Sequence, residues 1–188
     1  MPSPFVPTCF LSGDARSSLT RFGEDRRGVT IVEFAFIAGP LMALLIAILQ
    51  VSLTFFAQQN LETVAEKSTR VLMTGEAQSS KMSQSAYKAL ACSQLPKFMK
   101  CANLMIDVSV ANSFSSANIA SPSITYNAGG QPNNAWAYNT GSPGEIVIVK
   151  TMYVWDVTKG PMGFDLSTMS AGKRLLIATS VFRTEFYS

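Results

Sequence analysis

A single carboxylate stands at the start of a long apolar stretch of this sequence. Glu33 is the only charged residue between Val29 and Leu61, and no side chain from Phe34 to Leu49 is polar. An ionisable side chain at membrane depth is costly unless it has a partner, so its presence indicates a function. The other interpretation is a solvated carboxylate at the headgroup level, where the N-terminus of a helix also favours negative charge. The spacing alone leaves both open.

The stretch that follows Glu33 is long enough to cross a bilayer, which takes about 20 apolar helical residues. A helix that is apolar on all sides could instead be buried in a large domain, but the rest of this chain is too short to enclose it. A cleaved secretory signal would have a shorter apolar region near the N-terminus, followed by a cleavage site between small residues. The sequence therefore predicts a membrane anchor, with the transmembrane helix at residues 29–58.

The charges around this helix predict its orientation. Arg26 and Arg27 come directly before it, and the first charge after it is Glu62. Because Lys and Arg accumulate on the cytoplasmic side, we expect the N-terminus in the cytoplasm and the residues beyond about 58 on the outer side of the membrane. The chain has 15 Lys and Arg against 12 Asp and Glu. This excess is too small and too scattered to favour nucleic-acid binding.

The composition disfavours an enzyme. The chain contains no His, which excludes a Ser-His-Asp or Cys-His system and every His-ligated metal site. The charges of the C-terminal half show no spacing typical of paired acid–base catalysis. We therefore predict no catalytic residue, no metal site and no cofactor.

The residues after the anchor predict an α+β fold with the helices on one face of an antiparallel sheet. The first helix should continue to Thr74, and a second amphipathic helix should occupy Ser80–Leu95. Alternating or β-branched segments predict strands at Leu104–Val110, Glu145–Val157 and Leu175–Phe186. The expected organisation is a leader (1–28), a transmembrane helix (29–58), a helical stalk (59–78) and a head (79–188).

A long uncharged loop, Asn112–Pro143, separates the first two predicted strands, and a short hairpin is expected near Asn127–Gly130. Its aromatic residues, Tyr126, Trp136 and Tyr138, could form a stacking surface for a glycan or a neighbouring subunit. Alternatively, they could attach the loop to the sheet. The second interpretation is the more usual one for aromatic side chains.

Two of the three cysteines bracket one turn. Cys92 and Cys101 flank Pro96 and would both lie on the oxidising, outer side of the membrane, whereas Cys9 lies in the leader. A disulfide between them would clamp the junction of helix and strand and contribute about 2–3 kcal/mol. The alternative is a pair of free, buried thiols.

The residues around Glu33 also resemble a known processing signal. Gly28, four further residues, Glu33 and the aromatic Phe34 precede an unbroken apolar helix, as in the class III signal of type IV prepilins. More specifically, Gly28–Leu72 resembles the TadE-like family of tight-adherence (Flp) pilus assembly proteins. The closing segment, Leu175–Tyr187, also resembles the ends of such proteins.

This resemblance implies a pilin-like, single-pass protein of the bacterial inner membrane that acts in pilus assembly or initiation. A prepilin peptidase would cleave between Gly28 and Val29. The amine at Val29 and the Glu33 carboxylate of a neighbouring subunit would then neutralise one another, next to Phe34. Pro40 would kink or loosen the helix, unless it is an ordinary transmembrane proline.

The partners implied are other minor pilin-like subunits and the inner-membrane assembly platform. A different class of protein shares the anchor but not the processing. In this alternative the chain is an uncleaved, single-pass, membrane-anchored periplasmic binding module.

Overall fold

The computed structural model describes residues 29–127 and 132–186, and the chain divides into two compact units between Leu44 and Leu45. The leader, including Gly28, lies outside the described residues. Helix α1 spans Val29–Met73, in agreement with the predicted end near Thr74. It ends before Gly75, whose φ of 79° is a left-handed conformation that glycine adopts without steric cost.

Two short helices connect α1 to the sheet. Helix α2 spans Glu76–Ser79. Helix α3 spans Gln84–Ser93 and lies within the segment predicted as one helix, Ser80–Leu95. Helix α3 starts late because Ser83 is its N-cap and accepts a hydrogen bond from the Ala86 amide at 3.2 Å. The capping residue thus decides where this helix begins.

The predicted antiparallel sheet is confirmed. Strands β1 (Leu104–Ala111), β2 (Ile146–Asp156) and β3 (Lys173–Arg183) lie in the order β1-β2-β3, and both pairs are antiparallel. The register places Val108 opposite Val149, and Val149 opposite Ser180. The fold is therefore α+β, with a long apolar N-terminal helix and a small three-stranded domain.

The sheet is covered on both faces. One face packs against α1 and α3 through a core of buried side chains, among them Leu61, Leu72, Tyr87, Val108 and Val149. The opposite face carries Met105, Met152 and Val154, which are covered by Ile124 and Trp136 of the long loop. The sheet is thus sandwiched between helices and a loop, and it does not expose a whole face to solvent.

The long loop also covers the outer edge of β1. The Val108 amide donates to the Ala137 carbonyl, and the Asn139 amide donates to the Val108 carbonyl, both at 2.9 Å. Tyr138 packs against Tyr87 of the core, with ring centroids 5.8 Å apart. These contacts favour the interpretation that the aromatic residues attach the loop to the sheet. The centre of the predicted hairpin, residues 128–131, lies outside the described residues.

Candidate assembly helix

The first part of α1 exposes apolar side chains on every side. Large apolar residues from Ile31 to Leu49 are between 41% and 77% exposed, which is unusual for a water-soluble surface. This is the one helix among the described residues that is long and apolar enough to cross a membrane. Its surface fits a single-pass membrane anchor.

The predicted assembly residues lie at the start of this helix. Glu33 is exposed, and its neighbour Phe34 is 71% exposed. Val29 is the first helical residue, so Glu33 lies four residues further on. Because residues four apart share one side of a helix, the positions of Val29 and Glu33 lie about one turn apart on the same side of α1. A charge at either position can therefore act on the same neighbouring surface.

Pro40 lies inside a helix that continues on both sides of it. A proline has no amide hydrogen, so the Phe36 carbonyl, four residues earlier, lacks its usual helical donor. Pro40 and the preceding Gly39 are both exposed, and a Cβ built on Gly39 would meet no atom within 4 Å. The turn around Gly39 and Pro40 therefore offers an unpaired backbone carbonyl and enough space for another helix to approach closely.

Two glutamines of α1 bind residues around the sheet. Both belong to the compact unit that begins at Leu45, which we call the sheet unit. The Gln50 side-chain amide donates to the carbonyl and hydroxyl of Thr158 at 3.3 and 3.4 Å. The Gln58 side-chain amide donates to the Ile177 carbonyl at 3.0 Å. In the sequence, Gln50 lies within the long apolar stretch and Gln58 lies directly after it. Their contacts are long-range, and the only local signal is that an amide in apolar surroundings needs a partner.

Beyond Gln50, one side of α1 belongs to the core of the sheet unit. Thr54 and Ala57 are the first buried residues, and Leu61, Val64 and Leu72 follow on the same side. At the far end of the helix, the Glu185 amide donates to the Met73 carbonyl at 2.9 Å. The helix and the sheet therefore share one core from Thr54 to Leu72.

The predicted cysteine pair lies at the junction of α3 and β1. The structure joins the sulfur atoms of Cys92 and Cys101, and their Cα atoms are 5.4 Å apart. Cys92 is in the last turn of α3, and Cys101 begins the short helical turn that precedes β1. The bond would therefore tie a helix directly to an edge strand.

A groove lies beside β3. It has a volume of about 640 Å³, and its lining includes the helix residues Glu62, Glu66 and Arg70 together with Thr179 and Glu185. Three of these side chains are acidic and one is basic. The groove is open, and the described residues include no group of His, Cys, Asp or Glu side chains that could hold a metal ion.

The family comparison covers the helix. The model of the family described as TadE-like protein matches residues 28–70. This segment is TadE-like. It includes both parts of α1, the exposed apolar part with Glu33 and Pro40 and the part that packs against the sheet. The match does not reach β1, β2 or β3, so the resemblance of the closing segment stays a prediction. No curated protein and no solved structure matches the chain.

The TadE-like segment suggests involvement in tight-adherence pilus assembly and association with the membrane-bound assembly machinery. The matched residues from Val29 onward all lie in helix α1, so the similarity concerns this helix. The matched residues begin at Gly28, the residue before the predicted cleavage site.

Proposed function

We propose that the chain is a pilin-like, non-catalytic subunit of the bacterial inner membrane that acts in assembly or initiation of a tight-adherence pilus. The observation that carries this proposal is the TadE-like helix α1, whose exposed apolar surface contains one charged residue, Glu33. The partners are a prepilin peptidase, other minor pilin-like subunits and the inner-membrane assembly platform. The sheet unit lies in the periplasm.

The proposed mechanism depends on packing between apolar helices. In the bilayer, and in a bundle of such helices, no water satisfies a polar group. Cleavage after Gly28 creates an ammonium group at Val29, and the Glu33 carboxylate of a neighbouring subunit neutralises it. At an effective dielectric constant near 20, two unit charges about 4 Å apart attract by roughly 4 kcal/mol before the cost of desolvation is subtracted. Glu33 thus sets the register between neighbouring helices, as a lone polar residue does in a coiled coil.

Glu33→Gln tests this mechanism, because it keeps the size of the side chain and removes its charge. We expect the variant to insert into the membrane, lose its leader and accumulate normally, but to support few or no pili. Crosslinks from the first turns of α1 to other subunits should decrease. Glu76→Gln is the matched control, since it makes the same exchange at an exposed position outside the groove beside β3. It should support normal pili.

Normal piliation of cells that carry Glu33→Gln would contradict the assembly role. Degradation of the variant would also contradict it, because Glu33 would then serve folding. Pili are counted by electron microscopy, and the amount of the variant is measured in the membrane fraction.

A second candidate function is an uncleaved, membrane-anchored binding module, and the groove beside β3 favours it. The acidic side chains Glu62, Glu66 and Glu185 would select a basic ligand there. N-terminal sequencing of the membrane-extracted chain separates the two functions. A sequence that begins at Val29 supports the pilin-like subunit, whereas an intact leader in cells with an active prepilin peptidase supports the binding module.

A further inference from the structure

One end of the sheet unit contacts α1 within its apolar surface. The β2–β3 loop, residues 157–172, reaches Gln50 through the hydrogen bonds from the Gln50 amide to Thr158. A Cβ atom built on Gly160 would lie 2.6 Å from the Gln50 side-chain oxygen, so the absence of a side chain allows this approach. The ring of Phe98 stacks on Phe56 of the same helix, with centroids 5.6 Å apart. We call this the Gln50 end of the sheet unit.

These contacts limit how deep α1 can enter the hydrocarbon. The β2–β3 loop carries the exposed charges of Lys159 and Asp165, which are costly in the bilayer core. The hydrocarbon must therefore end near Gln50, before residue 58. The helix from Val29 to Leu49 still provides the length of about 20 residues that a bilayer needs.

Helix residues Gln50 to Phe56 then lie at the level of the lipid headgroups. Six residues of helix rise about 9 Å, and the headgroup region on each side of a bilayer is roughly 5–8 Å thick. The side chains that the sheet unit places at this level are the ones in contact with Gln50 and Phe56. The Gln50 end therefore faces the membrane surface.

The exposed residues of the Gln50 end have the chemistry of an interfacial surface. Phe98 is 47% exposed and lies close to two exposed lysines, Lys97 and Lys100. Met162 is 86% exposed at the tip of the β2–β3 loop, near Lys159. Apolar side chains beside lysines are typical of protein surfaces that bind anionic bilayers, because the lysines reach the phosphates while the apolar groups enter the interface.

The backbone holds Met162 in this exposed position. Met162 has a φ of 58° and the following Gly163 has a φ of 80°, both in the left-handed region. For a residue with a side chain this conformation is uncommon and has an energetic cost. The turn is closed by a hydrogen bond of 2.7 Å from the Gly160 amide to the Phe164 carbonyl. The loop thus presents a flexible apolar side chain to its surroundings.

We propose that the Gln50 end of the sheet unit docks on an anionic lipid bilayer. Phe98 and Met162 enter the headgroup interface, and Lys97, Lys100 and Lys159 contact lipid phosphates. This inference depends on the membrane anchor of the proposed function, but it does not depend on pilus assembly. It assigns the sheet unit a fixed orientation on the membrane surface.

Fluorescence quenching in reconstituted vesicles tests the docking. The full chain with Cys9→Ser receives one new cysteine, as Leu45→Cys, Met162→Cys or Phe114→Cys, and is labelled with an environment-sensitive dye. The vesicles contain lipids with a quencher on the upper acyl chain. Phe114 is the matched control, because it is 60% exposed and follows β1 at the other end of the sheet. The parent chain without a new cysteine measures background labelling.

We expect the dye at Met162→Cys to be quenched at least about twofold more than the dye at Phe114→Cys. Leu45→Cys reports the anchor itself. If Leu45→Cys is quenched and Met162→Cys is not, the docking is overturned while the anchor stands. If Leu45→Cys is not quenched, the anchor of the proposed function fails as well.

The lysines are tested with the lipid composition. Quenching at Met162→Cys should increase when phosphatidylglycerol replaces part of the phosphatidylcholine. The increase should disappear when Lys97, Lys100 and Lys159 are all changed to Gln, because the attraction to the phosphates is lost. Equal quenching of the parent in both lipid mixtures would overturn the role of the lysines.

Discussion

Helix α1 has two parts, residues 29–49 and residues 50–73. Both are regular helix, but they differ in what covers them. Leu49, in the first part, is 62% exposed, whereas Leu61, about three turns beyond Gln50, is fully buried. In the second part, residues three or four apart form one buried side, comprising Ala57, Leu61, Val64, Ala65, Ser68 and Leu72. The first part has no buried side, although nearly all its residues are apolar. One helix can therefore serve a lipid or helical environment first and a protein core afterwards.

The comparison teaches that hydrophobicity alone does not assign a residue to the core. In the first part the apolar surface is available to lipid and to other subunits, so its substitution should affect insertion and assembly. In the second part the same residue types face the sheet, so their substitution should affect the free energy of unfolding of the sheet unit. The following predictions use this difference.

The largest expected effect comes from truncating one leucine in each part. Leu61→Ala should lower the free energy of unfolding of the sheet unit by about 2–5 kcal/mol, because it leaves a cavity in the core. Leu49→Ala should change it by less than about 0.5 kcal/mol, because it removes no buried contact. Urea unfolding of the full chain in detergent, followed by tryptophan fluorescence, measures both. Equal effects would show that the two parts are covered alike.

The next effect concerns the cysteine pair, which lies in the sheet unit. Changing both Cys92 and Cys101 to Ser should lower the free energy of unfolding by about 2–3 kcal/mol, because the unfolded chain loses a constraint. Insertion of α1 into the membrane should be unchanged. Non-reducing peptide mapping should find the two cysteines linked in the native chain. Alkylation of both as free thiols would contradict the prediction.

A smaller effect should appear only at high pH. Burial raises the pKa of Tyr87 from 10.0 to about 12, and the hydroxyls of Ser68 and Thr69 oppose this shift less strongly. Between pH 10 and 12 the unfolded tyrosine ionises while the folded one stays protonated, so stability falls as the pH rises. Below pH 10 this group should have no influence on the pH dependence.

Tyr87→Phe removes this ionisation and tests the shift. Its free energy of unfolding should improve relative to the parent chain by up to about 2 kcal/mol between pH 10 and pH 12. Tyr126→Phe is the comparison: slight burial and the nearby Asp156 raise the pKa of this tyrosine as well, but it lies outside the core, so its substitution should have a smaller effect. A pH dependence that is the same for the parent chain and Tyr87→Phe would show that Tyr87 titrates normally in the folded state.

Much of the secondary structure could be predicted because its signals are local. The length of the apolar run predicted α1, and alternation within short segments predicted β1, β2 and β3 to within a few residues. The N-terminus of α3 was less predictable, because Ser83 competes with earlier polar residues as the capping residue. The β2–β3 loop gave no signal of its contact with α1, because its partner Gln50 is more than one hundred residues away in the chain.

The candidate site divides in the same way. The predicted processing and assembly residues all lie in one short segment, where residue types and spacing support the hypothesis. They are Gly28, Val29, Glu33, Phe34 and Pro40. The sequence could not reveal the contacts of Gln50, Gln58 and Phe98, because the partner of each comes near only in the folded chain. Their importance depends on distance in space, for which the sequence has no local pattern.

The sequence by itself determined which segments become helix and strand, where the long apolar stretch lies and where its one charge stands. These properties follow from hydrophobicity, spacing and backbone preference within a few neighbouring residues. Only the tertiary structure decided that the sheet has the order β1-β2-β3, that the long loop covers its second face and that the sheet unit meets α1 at Gln50. These arrangements depend on the packing of side chains and the pairing of backbone groups that are distant in the chain, and such contacts form only when the whole domain folds.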